Sequence, residues 1–284
     1  MIFNLEEKLV TADVSDEKLV DILERARESR NPQDDIARSV TGLTLDDAYR
    51  LQLNYKKRLA RNGDPHVGYR LSMTTRSGLK EAVALGILPP EAADRPLQPI
   101  FTSLSQSNLG SSDRAVKRDP RCHLYAEAEV AMVIGKRLEG PNITAAQARA
   151  AVGGLYAGLD MAQIPMGSLY SLAHNVASAC APVDTQILLG AKMTEPTIDL
   201  RLEGVLVSVN GEARASATAW ECLGDPMNAI TFLANKLAQF GEALEPGQIV
   251  ITGVCPYPQR IKAGDVLVCA EFTRLGSVTG LVSA

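Results

Sequence analysis

Histidine is scarce: the 284-residue chain has three. A zinc site built on several imidazoles is therefore out of reach, and a Ser-His-Asp triad would have to draw on one of those three. Aromatic residues make up 5%, too few for a protein that holds nucleic acid by stacking bases. Neither sign of charge dominates. Lysine and arginine number 29 against 33 aspartates and glutamates, and a net charge of −4 gives no electrostatic case for a nucleic acid or an anionic membrane partner. No run approaches the ~20 apolar residues of a membrane helix. The first residues include Glu6, Glu7 and Lys8 where a signal peptide would have an apolar core. Cysteines are five, scattered, and never spaced C-x-x-C, which points to inert thiols in a reducing cytoplasm. Phosphate-loop, dinucleotide-binding, H-E-x-x-H and G-x-S-x-G motifs are all missing.

What remains is an ordinary folded composition, 46% apolar and 22% charged, in a chain long enough to bury a sizeable core. The first 64 residues read as helical. Ser15 caps a helix whose apolar face is Leu19, Ile22, Leu23 and Ala26, and Thr44 with Asp47 forms a capping box for a second. From residue 65 onward short β-rich runs take over: 66–73, 100–104, 126–135, 154–162, 183–189, 200–209, 213–219, 248–253, 266–272 and 278–282. Asn210-Gly211 marks a type I′ hairpin. A capping box at Thr144 and Gln147 starts one further helix, and residues 226–241 form another. Prolines at 89, 90, 96 and 99 mark a loop that could cover a site.

The chemistry concentrates in Tyr125-Ala-Glu127-Ala-Glu129-Val-Ala-Met-Val-Ile-Gly135. Strand alternation puts Glu127 and Glu129 on one face. Two carboxylates there repel each other unless a cation joins them, and Mg²⁺ or Mn²⁺ with oxygen ligands meets that need. On its own such a pair is also common on solvated strand faces. Asp160 is the candidate third carboxylate, because it sits in Gly154-Leu-Tyr-Ala-Gly-Leu-Asp160-Met-Ala, a run with no other charge.

Glu127, Glu129 and Asp160, in that order and spacing, resemble the fumarylacetoacetate hydrolase superfamily. Within it, the chain is most similar to the 2-keto-4-pentenoate hydratases and 4-oxalocrotonate decarboxylases. Ala48-Tyr-Arg-Leu-Gln52, Val67-Gly-Tyr-Arg-Leu-Ser-Met-Thr74, Leu223-Gly-Asp-Pro226, Leu233-Ala-Asn235, Leu244-Glu-Pro-Gly247, Thr252-Gly253 and Ala263-Gly-Asp265 follow the family's order along nearly the whole chain. The resemblance implies an α+β fold with a mixed, barrel-like β-sheet core and N-terminal helices. The helical segment would span 1–64 and the β-rich catalytic domain 65–284. It implies a homo-oligomer that binds Mg²⁺ or Mn²⁺ through Glu127, Glu129 and Asp160. The substrate would be a small 2-oxo acid or its 2-hydroxy-dienoic tautomer, turned over by a hydratase or decarboxylase through a metal-stabilised enolate.

Several positions depart from that pattern. The family's strand lysine is Arg70, which can clamp a carboxylate but is a poor acid or base. Its A-D-N is Ala173-His174-Asn175, so His174 becomes the candidate proton carrier, with His123 as the other. Arg70, Ser72, Thr74 and Gln163 are the candidate substrate contacts. The altered positions leave two alternatives open: the same scaffold running C–C hydrolysis, isomerisation or cyclisation, or a non-catalytic partner subunit.

Overall fold

The computed structural model describes residues 9–10, 14–31, 36, 40–84, 90–94, 96–166 and 184–284. In chain order these form β1 (Leu9–Val10), α1 (Asp16–Ser29), β2 (Val40–Thr41), α2 (Leu45–Arg61), β3 (His66–Ser72), α3 (Arg76–Ala84), β4 (Ile100–Ser105), β5 (Val116–Lys117) and β6 (Cys122–Ile134). Then come α4 (Ala145–Ala151), β7 (Val152–Pro165), β8 (Asp184–Leu189), β9 (Gly204–Val209), β10 (Glu212–Thr218) and α5 (Met227–Ala238). The chain ends with β11 (Ile249–Ile251), β12 (Gln259–Ile261), β13 (Leu267–Phe272) and β14 (Gly276–Ser283). This is the expected α+β fold with a mixed sheet core. No helix among the described residues is long and apolar enough to cross a membrane.

The caps behave as their chemistry requires. The Ser15 hydroxyl accepts from Lys18 N, while Thr44 with Asp47 and Thr144 with Gln147 close complete capping boxes. Asn210 and Gly211 both have positive φ, 53° and 81°, which turns β9 into β10. Other expectations need correction. The run at 200–209 is not one strand: Leu200–Leu202 is a 3-10 turn whose cap is Asp199, and β9 starts only at Gly204. The segment 126–135 starts four residues earlier, at Cys122, so Glu127 lies in the interior of β6. Strands β1 and β2, paired in parallel inside the segment read as helical, were not expected, nor were helix α3 and strands β5 and β12. These strands are two or three residues long, too short to carry a periodic signal.

The larger sheet runs β4-β3-β11-β6-β7-β8, with β12 also paired to β6. All its pairings are antiparallel except β3 with β11. The second sheet runs β10-β9-β13-β14-β5. Leu155, Leu159 and Met161 on one face of β7 join Val205, Val207, Val268, Val278 and Val282 of the second sheet in one continuous core. The N-terminal helices enter the same core. Tyr49 of α2 stacks on Phe101 of β4 at 4.2 Å, and Tyr69 of β3 meets Phe101 edge-on. The opposite face of the larger sheet has its own apolar cluster, Leu104, Ala131, Ile187 and Ile251. Ala131 and Glu129 share this face by alternation along β6, and so does Glu127.

Candidate metal centre

Glu127 and Asp160 are direct register partners across β6 and β7, and Glu129 lies one pleat further along β6. Their carboxylate oxygens come within 4.8 Å of one another. Glu129 and Asp160 have no exposed surface, and Glu127 is 9% exposed. The expected carboxylate trio is therefore assembled, with two members from one strand and the third from its neighbour.

Arg70 comes from β3, two strands away from β6. Its backbone lies in line with Ile251 of β11 and Ala131 of β6, on the carboxylate face. The guanidinium is buried. Its Nε donates to Asp160 Oδ2, and its Nη2 donates to Glu127 Oε2 at 3.2 Å. Thr185 of β8 donates its hydroxyl to the other Asp160 oxygen. The Gly253 N–H donates to Glu129 Oε2 at 2.5 Å. That leaves Glu129 Oε1 buried with no hydrogen-bond partner among the described residues. A buried anionic oxygen without a donor is unfavourable unless something else binds it.

The electrostatics follow from burial. Desolvation pushes the Glu127 carboxyl up to about 7; Arg70 opposes the shift and Asp160 adds to it. Glu129 is raised well above the ordinary carboxylate range, first by burial and then by the charges of Asp160 and Glu127. With all three carboxylates ionised, Arg70 balances one charge and leaves two, the charge of one divalent cation. The oxygen-only donor set also suits Mg²⁺ or Mn²⁺. The residues present fit such an ion.

Gly253 holds this geometry for a steric reason. Its φ is +109°, and a Cβ there would sit 1.8 Å from Thr74 Oγ1. Thr74 is thus brought against the loop that serves Glu129. Ser72 is half-buried and shares the Arg70 face of β3.

Gln163 does not join the site, which corrects the expectation of a substrate contact. It is three residues from Asp160, so alternation turns it to the opposite face of β7. There its Oε1 accepts from Asp119 N at 2.7 Å and its Nε2 donates to Lys117 O at 3.1 Å. His123 lies on the carboxylate face of β6, four residues before Glu127, and its Nδ1 contacts Arg260 Nη2 at 2.9 Å. His174 and Cys180 fall outside the described residues. The cysteines described are free, and burial pushes the Cys222 thiol up to about 12. Thr185, the Gly253 N–H and Arg260 were not singled out from the sequence. Only the Thr252-Gly253 pair carried a signal there.

Residues 71–283 match the fumarylacetoacetate (FAA) hydrolase C-terminal family. The chain is 24% identical over 269 residues to a 2-keto-4-pentenoate hydratase of Paraburkholderia xenovorans, covering 92% of this chain and 93% of that protein. It is 25% identical over 239 residues to a 4-oxalocrotonate decarboxylase of Pseudomonas putida, covering 84% and 85%. Among solved structures it resembles the Pseudomonas putida 4-oxalocrotonate decarboxylase complexed with calcium and acetate, at a TM-score of 0.77 and 22% identity, over 95% of this chain and 99% of that one. A buried three-carboxylate centre and a match across most of its length agree: this chain belongs to the fumarylacetoacetate hydrolase family.

Proposed function

We propose that this protein is a divalent-metal-dependent lyase acting on a 2-oxo acid or its 2-hydroxy-dienoic tautomer, as a hydratase or a decarboxylase. The observation that carries this reading is a buried trio of carboxylates that, among the described residues, has one counter-charge, Arg70, and leaves Glu129 Oε1 without a hydrogen-bond partner. Glu127, Glu129 and Asp160 would hold Mg²⁺ or Mn²⁺. Bound there, the ion supplies Lewis-acid polarisation to a chelating 2-oxo acid.

The chain's own residues set up that chemistry. Thr185 and Arg70 each occupy one oxygen of Asp160, which fixes the plane of its carboxylate. Gly253 fixes Glu129 in the same way and leaves the other oxygen free to ligate. Arg70 stays charged at any working pH, so it orients and neutralises but moves no proton. We assign proton transfer to His174, which stands where the family pattern has an aspartate. Ser72 and Thr74 are the proposed hydroxyl contacts to substrate. We further propose a homo-oligomer, because Leu202 and Trp220 are 70% and 59% exposed.

The named relatives support both lyase types. They are a hydratase and a decarboxylase, and a 4-oxalocrotonate decarboxylase of Pseudomonas putida was solved with magnesium and adipate. Calorimetry with Mg²⁺ and Mn²⁺, with and without oxalate, tests the centre. Assays on 2-hydroxypenta-2,4-dienoate and 4-oxalocrotonate test the reaction. Binding of oxalate only in the presence of metal, abolished in Glu127→Gln, is expected. A variant that binds metal and turns over like the parent would sink the reading.

A further inference from the structure

Gln163, which the metal centre leaves unused, holds the chain on both sides of Arg118. Its Nε2 donates to Lys117 O at 3.1 Å, and its Oε1 accepts from Asp119 N at 2.7 Å. The Arg118 N–H donates to Ser283 O at 3.0 Å, just past the pairing of β5 with β14. The backbone is fixed at three successive residues, so the Arg118 side chain starts from a defined place. Its Nε is buried and has no hydrogen-bond partner among the described residues. A buried guanidinium N–H without an acceptor is unfavourable unless a ligand supplies one.

Arg118 lines a cleft of about 320 Å³ with His123, Arg260 and Lys262, a volume at the small end of ligand sites. Strand β12 pairs with the start of β6, which sets Arg260 opposite Tyr125 and its Nη2 2.9 Å from His123 Nδ1. Arginine has no acceptor, so the imidazole nitrogen accepts and the ring is neutral. His123 therefore aims the guanidinium without cancelling its charge. Among the described residues no carboxylate lines this cleft. Asp265, the acidic residue nearest Lys262 in sequence, accepts from the Lys262 N–H and the Asn210 amide.

Arg118 also borders a second cleft, of about 860 Å³. The carboxylates there are already engaged. Asp119 pairs with Arg30 and Arg121, Asp184 pairs with Arg30, and Asp113 accepts from the Ser111 hydroxyl beside Arg114. Lys117 and Arg118 are left over. Around the junction of the two clefts, Lys117, Arg118, Arg260 and Lys262 thus make no ion pair among the described residues. In a chain of net charge −4, four gathered cations without a counter-ion repel one another and favour an anion of more than one charge. A pyrophosphate group meets that need, because guanidinium forks and ammonium groups can share its several charged oxygens. No phenylalanine, tyrosine or tryptophan lines either cleft, so recognition rests on the phosphates and not on a stacked base. The place is separate from the metal centre. None of the three carboxylate ligands lines either cleft, and His123 is four residues, about 13 Å, along β6 from Glu127.

We propose that Arg118, Arg260 and Lys262, with Lys117 at the rim, form a second site that binds the pyrophosphate group of a small molecule. This goes beyond the lyase reading and does not depend on it. One bound anion there ties β5, β12 and the start of β6 together.

The test is calorimetry with inorganic pyrophosphate on the full chain without added metal, so that no ion at the carboxylate trio recruits the probe. One saturable site is expected, at least tenfold tighter than for acetate, which carries a single charge. Arg260→Gln and Lys262→Gln, both at exposed positions, should each weaken it at least fivefold, and Arg118→Gln at least tenfold. Arg201→Gln removes a surface charge already paired with Asp199 and should change it less than twofold, as should Glu127→Gln. Pyrophosphate should also raise the melting temperature of the parent more than that of Arg260→Gln. ADP separates the two sources of the group. Affinity equal to that of pyrophosphate assigns the site to an esterified ligand, and much weaker binding assigns it to the free anion. Absence of saturable binding by the parent overturns the proposal. An equal loss in Arg201→Gln and Arg260→Gln overturns it too, because general surface charge would then hold the probe. A changed affinity in Glu127→Gln would place the probe at the metal centre, with the same consequence. If Arg118→Gln does not fold, the Arg260 and Lys262 variants decide. Failure of Mg²⁺ and oxalate to bind defeats the lyase reading and leaves this result standing.

Discussion

Arg70 of β3 reaches across the sheet to pair with Asp160 of β7, and both side chains are buried. The same guanidinium holds Glu127 at 3.2 Å, so one cation ties together two carboxylates that the β6–β7 register forces side by side. A buried cation between two buried anions is expensive to remove, because each partner left behind is a desolvated charge.

Arg70→Ala is therefore expected to destabilise the metal-free protein by about 3–5 kcal/mol. The deficit should shrink in saturating Mg²⁺, because the ion then takes over the neutralising charge. Chemical denaturation with chelator and with Mg²⁺ measures both. An equal loss in the two conditions would separate Arg70 from the metal centre.

Stability of the metal-free protein should fall as pH rises from about 5 to 8. The Glu127 carboxyl titrates near 7 when folded, against about 4.3 in an unfolded chain. Between those values the folded state holds the extra proton, so its contribution is fully present below the unfolded value and is lost as pH rises through the folded one. Glu129 acts in the same direction. Mg²⁺ affinity should rise over the same window, with proton release on binding. Melting curves at pH 5.5 and 8.0, in chelator and in Mg²⁺, give the signs. A metal-free protein that is more stable at pH 8.0 would contradict the burial argument.

Gly253→Ala should lower stability by roughly 2–4 kcal/mol, combining a left-handed backbone with overpacking against Thr74. The shift also withdraws the N–H from Glu129, so oxalate binding should weaken along with the fold. Retained oxalate affinity at reduced stability would show that the Glu129 orientation does not depend on this amide.

Gln163→Ala is expected to leave oxalate affinity untouched while costing about 1–3 kcal/mol, the penalty for the orphaned Asp119 N–H and Lys117 carbonyl. Weakened oxalate binding without loss of stability would place Gln163 back at the site.

Much of the centre could be read along the chain. Glu127 and Glu129 share a face because strands alternate. Asp160 stands out because no other charge lies in its stretch. The capped helices and the Asn210-Gly211 hairpin are likewise local chemistry. The side chain of Gln163 is legible in the same way, since an odd separation from Asp160 puts it on the other face.

What no local pattern contains is which strands are neighbours. β11, three residues long, inserts between β3 and β6 and so brings Arg70 to the carboxylate face and Gly253 to Glu129. β12, equally short and partly charged, carries Arg260 to His123 across 137 residues of chain. The sequence by itself determined the ligand types and the face they share, because alternation and composition act over a few residues. The tertiary structure alone decided the counter-charge, the fixed amide and the Arg260–His123 contact, because each depends on backbone pairings between distant segments that leave no trace in the spacing of side chains.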